Sequence, residues 1–361
     1  MSSSVSCGIV GLPNVGKSTL FNALTKSAVL AANYPFATIE PNVGIVAVPD
    51  ERLTKLAELY RADKIIPATV KFIDIAGLVA GASKGEGLGN QFLGHIRSTS
   101  IILEIVRAFS DNNITRVDLN SSPQQDIETI NTELILADLE TVNKKLIQLE
   151  KEARTNPKLM PNLNQLKNVQ QILDTGQLIY DHQQSQELDQ IKPLNLLTAK
   201  PIIYVFNVGE DNIKDEEYLQ SLKKLVSPAP AIYIPAKLES EFSTLDEADA
   251  EELRVSYSLH HSGLVNLINL AYDTLDLQSF LTAGPKEVRA WSIKKGSTAP
   301  QAAGVIHGDF ERGFIAAEIV DYDDLITLGS INACRLAGKL RIEGKTYKMQ
   351  TNDIVEFRFN V

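Results

Sequence analysis

One nine-residue string constrains this chain more than any other: Gly11-Leu12-Pro13-Asn14-Val15-Gly16-Lys17-Ser18-Thr19. It follows the β-branched run Val5–Val10 and precedes Leu20-Phe21-Asn22-Ala23-Leu24, so it reads as strand, glycine loop, helix. The glycines let the backbone curl until its N–H groups converge at the helix N-terminus, where the helix dipole favours phosphate oxygens. The string matches G-x-x-x-x-G-K-S in full. It assigns phosphate contacts to Asn14, Val15, Gly16, Lys17, Ser18 and Thr19, with Lys17 reaching the β- and γ-phosphates and the Ser18 hydroxyl ligating Mg²⁺. Further apolar runs at Val43–Val48, Val70–Ile75, Ile101–Val106, Ile202–Asn207 and Ala231–Ile234 are separated by helical stretches. They predict an α/β fold with a parallel sheet covered by helices on both faces.

Asp74-Ile75-Ala76-Gly77 closes the Val70–Ile75 run. An aspartate at a strand tip can hold the metal through water, and the Gly77 N–H can sense the γ-phosphate. Thr38, in Tyr34-Pro35-Phe36-Ala37-Thr38, sits in a first switch loop and completes the metal shell. The glycine-dense stretch Leu78–Gly89 predicts a second switch loop. Many GTPases orient the attacking water with a glutamine directly after D-x-x-G. Leu78 stands there instead, so hydrolysis uses another group or is slow alone.

Base recognition departs from the guanine-reading N-K-x-D pattern. The strand Ile202–Phe206 ends in Asn207-Val208-Gly209-Glu210, with no lysine and a longer carboxylate. Asn207 and the backbone near Val208 suit adenine's N6 donor and ring acceptors, which favours ATP over GTP. Ala236, in Pro235-Ala236-Lys237 after the strand Ala231–Ile234, falls where a last base-contacting loop belongs, or is an ordinary strand-to-helix connection.

Residues 124–190 differ in character, rich in Gln, Asn, Glu, Lys and Leu. Ile135, Leu139, Val142, Leu146, Leu149 and Ala153 alternate spacings of four and three, as a coiled-coil seam does. Asn156-Pro157 and Pro161 break that helix, and Leu163, Leu166, Val169 and Leu173 predict a return helix. The reading is an antiparallel helical hairpin inserted into the α/β unit, or else two ordinary surface helices of that unit. Beyond about residue 278, strands at Lys286–Ile293, Phe314–Ile319 and Asp353–Phe359 predict a small α+β module.

Charge and cysteine usage bound the function. The net charge of −10 excludes a generally basic nucleic-acid binder. It is uneven, though: residues 278–361 carry 11 basic and 10 acidic side chains. That module is free to touch RNA through Lys286, Arg289, Lys294, Lys295, Lys339, Arg341, Lys345 and Lys348, or presents them as a solvated surface. Cys7 and Cys334 have no metal-ligand spacing and form no disulfide framework, which fits a reducing cytoplasm. No apolar run is long enough to span a membrane, and no secretory leader is expected.

With these strings in view, the chain resembles the Obg-like ATPase family, also called YchF. The markers are Gly11–Thr19, Asn33–Asn42, Asp74–Phe92, Asn207–Glu210, Lys286–Trp291 and Ala299–His307, so the resemblance runs from Cys7 to Val361. It implies a discontinuous G domain at 1–120 and 195–277, an inserted helical domain at 121–194, and a TGS domain of β-grasp type at 278–361. It further implies slow, Mg²⁺-dependent ATP hydrolysis as a switch, and association with the ribosome through its large subunit or as the whole particle, with no DNA or membrane partner. Glu104 opens Glu104-Ile105-Val106-Arg107-Ala108-Phe109, where the bacterial family pattern H-V-V-R-C-F has a histidine. This makes Glu104 a candidate for the hydrolytic step, as base or water orienter, or else a structural carboxylate. His95 is a second candidate for that role. Two other readings stand beside the ATPase: a translation-type GTPase reading guanine through Glu210, and an RNA- or ribosome-binding module in which hydrolysis is incidental.

Overall fold

A computed structural model describes residues 6–31, 42–75, 88–111, 122–185, 191–257, 259 and 262–360. The chain opens β1 (Ser6–Val10), α1 (Lys17–Ala31), β2 (Val43–Ala47), α2 (Glu51–Tyr60), β3 (Ile65–Ile66), β4 (Thr69–Asp74), α3 (Leu88–Arg97) and β5 (Ile101–Ala108). Two long helices follow, α4 (Pro123–Thr155) and α5 (Met160–Asp174), and then β6 (Ile202–Val208), α6 (Glu216–Val226) and β7 (Ala231–Ile234). The first sheet has the order β2-β4-β1-β5-β6-β7. β1, β5 and β6 are buried along their whole lengths, as central strands covered on both faces must be. The sheet is not wholly parallel: β2 runs antiparallel to β4 at one edge, pairing Val43 with Ile73 and Ala47 with Thr69. The two strands are consecutive in this sheet and are joined through α2 and β3 rather than a full crossover.

Each face has its own core. On one, Leu20, Ala23 and Leu24 of α1 meet Ile9, Phe72 and Leu103, with Leu264, Leu267 and Ile268 from a later helix. On the other, Phe92 and Ile96 of α3, Ile127, Ile130 and Leu134 of α4, and Leu222 of α6 cover Ile102, Val106 and Phe206.

α4 begins at a capping box. Gln125 N–H donates to Ser122 Oγ at 3.3 Å, and Ser122 N–H donates back to Gln125 Oε1 at 2.9 Å, with Pro123 in the first turn. Its 33 residues span about 50 Å at 1.5 Å per residue, and its two halves do different things. The first half lies on the sheet; the second packs Val142, Leu146, Leu149 and Ala153 against Leu163, Leu166, Val169 and Leu173 of α5. This is the inserted hairpin, with the seam that the spacing predicts. At the junction, the buried Asp138 carboxylate accepts from the Leu197 and Thr198 N–H groups at 3.0 and 2.7 Å, and from Thr198 Oγ at 2.8 Å. The Arg97 guanidinium, at the end of α3, stands 3.6 Å from it.

The chain continues through α7 (Ala236–Phe242), α8 (Glu247–Ser256) and α9 (Gly263–Thr274) into a second sheet. That sheet is built from β8 (Leu277–Ala283), β9 (Val288–Lys294), β10 (Phe314–Asp321), β11 (Arg341–Glu343) and β12 (Asp353–Phe359), with the short helices α10 (Ala299–Ile306), α11 (Gly308–Arg312), α12 (Tyr322–Leu328) and α13 (Ile331–Leu336). Its order is β11-β10-β12-β8-β9-β3. The sixth strand therefore comes from the amino-terminal third: Ile65 and Ile66 pair in parallel with Val288 and Arg289. Leu53, Leu56 and Ala68 join Leu281, Val288, Val320 and Ile354 in one core. Arg52, held by Asp50 at 2.6 Å, donates to the Thr351 carbonyl at 2.5 Å. The segment between β2 and β4 thus docks the carboxy-terminal unit onto the first one.

Candidate functional site

The glycine loop forms where the sequence places it, between β1 and α1. Gly16 has φ +99°, a conformation that side chains strain to adopt, and a Cβ there would lie 2.3 Å from Asn207 Nδ2. That close approach has a purpose. Asn207 Nδ2 donates to the Val15 carbonyl at 2.9 Å, and the Ala236 N–H donates to Asn207 Oδ1 at 3.1 Å. The Asn207 amide therefore clips the phosphate loop to the start of α7. Each of these bonds uses one of the two amide N–H donors or one lone pair of the oxygen, so Asn207 positions the loop while still lining the cleft with a donor and a lone pair to spare.

Lys17 Nζ donates to the Gly11 and Leu12 carbonyls, both at 2.7 Å. Burial pulls its pKa down to about 8, against the opposing pull of the Asp74 carboxylate. A polyphosphate beside Nζ favours the charged form. Binding near pH 8 is therefore expected to take up a proton, and affinity to fall as pH rises above about 8. Calorimetric titration of ATP at pH 8 in two buffers of different ionisation enthalpy checks this; equal heats would contradict it.

Asp74 ends β4 with Oδ2 3.5 Å from Ser18 Oγ. Its other oxygen, Oδ1, is buried without a hydrogen-bond partner among the described residues, and burial raises the carboxyl pKa. A hydroxyl facing a carboxylate with one orphaned oxygen is the donor set that a hard divalent cation takes. Thr38, Gly77 and Leu78 lie outside the described residues.

A cleft of about 670 Å³ runs from this loop to the tips of β5, β6 and β7. Asn14, Gly16, Lys17, Ser18 and Thr19 line one end, and Asn207, Val208, Glu210 and Ala236 the other. Val15 does not line the cleft; it is buried beneath the loop and offers its carbonyl to Asn207. Glu210 faces Lys237 across the rim at 3.5 Å. Phe109, Ser110 and Asp111 also line the cleft, and the sequence reading assigned them no role. Arg107 sets their position: its guanidinium lies 4.5 Å from the Phe109 ring centroid and donates to the Phe109 and Asp111 carbonyls at 3.4 and 3.3 Å. A usable signal was present, because residues just past a parallel strand's carboxyl end are where ligands bind in open α/β sheets.

Glu104 is elsewhere. It lies on β5 opposite Val10 and Tyr204, on the face covered by α4, and is fully buried with neither carboxyl oxygen hydrogen-bonded among the described residues. Burial first, and the nearby Asp126 second, push its pKa well above the usual carboxylate range. It does not line the cleft, so the expectation that it acts on the attacking water is corrected: this is a carboxyl enclosed in a core, where burial favours its neutral form. His95 is exposed in the last turn of α3 and does not line the cleft either.

The placement of Glu104 has a measurable consequence. The unfolded chain ionises Glu104 above its ordinary pKa of 4.5 while the folded chain holds the proton to higher pH, so stability falls as pH rises above that value. Glu104→Leu is expected to stabilise the protein by about 1–3 kcal/mol at pH 7, the usual penalty of a buried unpaired polar group, and by less near pH 4. Urea unfolding at the two pH values tests this; an equal or negative effect at pH 7 would refute it.

Comparison with known proteins gives one consistent answer. A family model described as "50S ribosome-binding GTPase" matches residues 6–151, and the YchF-GTPase C-terminal model, described as a protein of unknown function, matches 277–360. The chain is 47% identical over 359 residues to "Ribosome-binding ATPase YchF" of Haemophilus influenzae, covering 98% of this chain and 99% of that one. With the protein of the same name from Bacillus subtilis it shares 48% identity over 367 residues, covering 99% and 100%. The solved structure of the Schizosaccharomyces pombe YchF GTPase superposes with a TM-score of 0.88 at 40% identity, covering 99% of this chain and 98% of that one.

Proposed function

The chain belongs to the YchF family, and from that premise we propose that it is a Mg²⁺-dependent ATP hydrolase that works as a slow nucleotide switch on the ribosome. The observation that carries the reading is the single cleft joining the phosphate loop to a base end in which Val208 stands at the usual lysine position. Glu210, the residue that would accept guanine's N1–H and N2–H₂, is already faced by Lys237, and Phe109 offers an apolar surface to a purine ring. The names of the bacterial relatives support both ATP as substrate and the ribosome as partner, and with them a cytoplasmic location. Among the described residues, no helix is long and apolar enough to cross a membrane.

The chemistry follows from positioning and charge. Phosphoryl transfer to water asks the protein for alignment and for donors aimed at the equatorial oxygens. The loop N–H groups hold the β- and γ-phosphates, Lys17 exchanges its loop carbonyls for phosphate oxygens, and the Asn207 clip fixes the distance between phosphate and base ends. Ser18 and, through water, Asp74 would hold Mg²⁺, joined by Thr38; bound there, the ion neutralises phosphate charge. Gly77 N–H reports the γ-phosphate to the second switch. With Leu78 in place of a glutamine and Glu104 buried, no described side chain stands ready as a general base, which supports a slow intrinsic rate and an outside activator.

Two measurements test the reading. Titration calorimetry with Mg²⁺ should show ATP binding more tightly than GTP; equal or tighter GTP binding overturns the base assignment. Purified protein should pellet with ribosomes, with an affinity that differs between ADP and a non-hydrolysable ATP analogue; no pelleting in either state overturns the ribosomal role.

A further inference from the structure

Charge along the hairpin is segregated rather than mixed. The first part of α4, Pro123 to Val142, carries Asp126, Glu128, Glu133, Asp138 and Glu140 and no basic residue. From Asn143 to Gln171 the sign reverses, with six basic side chains against two acidic ones, a net of +4 in a chain of net −10. A helix that is merely solvated interleaves its signs at i,i+4. Here two pairs join the signs, Lys144 with Glu140 one turn earlier at 2.5 Å and Lys167 of α5 with Glu150 at 2.9 Å, whose carboxylate also feels Arg154; the excess of positive charge lies beyond them. Lys151, Arg154 and Lys158 are all exposed at the far end of the hairpin, and among the described residues none has an ion-pair partner.

Geometry turns these charges into a surface. Lys144, Ile147, Lys151 and Arg154 recur at spacings of three and four, offset by two residues from the buried seam Leu146, Leu149 and Ala153. Two residues are about 200° of helix, so the stripe runs along the side opposite α5. Lys144 to Arg154 covers about 15 Å at 1.5 Å per residue. Ile147 is 60% exposed in the middle of the stripe. Across the tip, α5 has no carboxylate between Met160 and Gln171 and is rich in amides, Asn164 and Asn168 among its exposed positions.

We infer that the free end of the helical hairpin, centred on Lys151, Arg154 and Lys158, is a contact surface for RNA. Rigid cations at helical spacing meet successive phosphates, neighbouring amides pair with phosphate or 2′-hydroxyl groups, and an exposed isoleucine lies against ribose or base. The carboxy-terminal unit is the weaker candidate. Six of its eleven basic side chains, including Arg335, Lys339, Arg341 and Arg358, are already in ion pairs. The inference deepens the ribosome-binding reading and rests on it.

The test uses the full chain with ATP and Mg²⁺: wild type, the triple variant K151Q/R154Q/K158Q, and the control K286Q/K294Q/K345Q, whose three lysines are exposed on the carboxy-terminal unit. Each is bound to ribosomes by co-sedimentation, and to protein-free ribosomal RNA and polyglutamate by filter retention, across a salt series. The hairpin variant should bind ribosomes and bare RNA at least ~10-fold more weakly at low salt, with a log–log salt slope shallower by about 2, as expected for three lost phosphate contacts on single-stranded RNA. The control should stay close to wild type, and basal ATP hydrolysis and thermal melting should not move in either variant, since these side chains are exposed and outside the cleft. Unchanged RNA affinity and slope would overturn the inference. So would loss of polyglutamate binding with bare RNA binding unaffected, which would mark an acidic protein as the partner. If wild type does not pellet with ribosomes, the ribosomal role fails, while the bare-RNA arm still decides the surface.

Discussion

Lys17→Met is expected to reduce ATP hydrolysis by about a thousandfold, the upper end of what one donor aimed at developing charge supplies. Lys17 places a charged head group inside the glycine loop, where its Nζ donates to the Gly11 and Leu12 carbonyls. Methionine fills similar volume, so the loop persists while the charge and three donors are lost. Lys17→Arg should not rescue the rate, because a planar guanidinium does not fit a cradle built for a compact ammonium. Single-turnover phosphate release at saturating ATP separates chemistry from binding. If the variant keeps more than a tenth of the wild-type rate, the charge-neutralisation account of catalysis is wrong.

Asp138→Ala is expected to cost about 3–5 kcal/mol, the range for removing one partner of a buried charged network. The three donors from Leu197 and Thr198 would be left in a core without an acceptor, and Arg97 would lose its counter-charge. Burial alone pushes the Asp138 pKa up; the three donors and the guanidinium pull it back. The site joins α3, which follows the second switch sequence, to the root of the hairpin and the strand-entry segment before β6. The loss should therefore appear first as proteolytic cleavage near residues 195–200, ahead of global unfolding in urea. Asp138→Asn keeps an acceptor oxygen and should lose less than half as much. A change below 1 kcal/mol for alanine would show that water replaces the carboxylate and that the hairpin root is not held by this residue.

Much of the molecule was legible in the sequence because its signals are local. The phosphate loop needs its glycines, lysine and serine within one turn of chain, so Lys17 and Ser18 could be assigned before any fold was known. The hairpin seam repeats within a single helix, and the observed burial of Val142, Leu146, Leu149 and Ala153 follows the spacing. Asp74 was recognisable from its place at the end of an apolar run. The α/β architecture followed from the same runs, except that period-2 and apolar patterns carry no strand direction, which left the antiparallel β2 unread.

What only the tertiary structure decided involves residues far apart in the chain. That the Asn207 amide bridges Val15 and Ala236, positions separated by 221 residues of chain, could not be read from its place at the end of β6. Glu104 looked chemically useful because strand sequences do not say which face another element will cover; α4 covers it, and burial favours its neutral form. Ile65-Ile66 is too short to read as a strand, and it became one because β9 offered an unpaired edge whose backbone groups had to be satisfied. The sequence by itself determined the glycine loop between β1 and α1 and the place of Lys17 and Ser18 in it, because that structure is written in contiguous backbone. Which polar groups remain free to meet a ligand was decided by packing, because the energy of a buried polar atom depends on partners that chain order does not reveal.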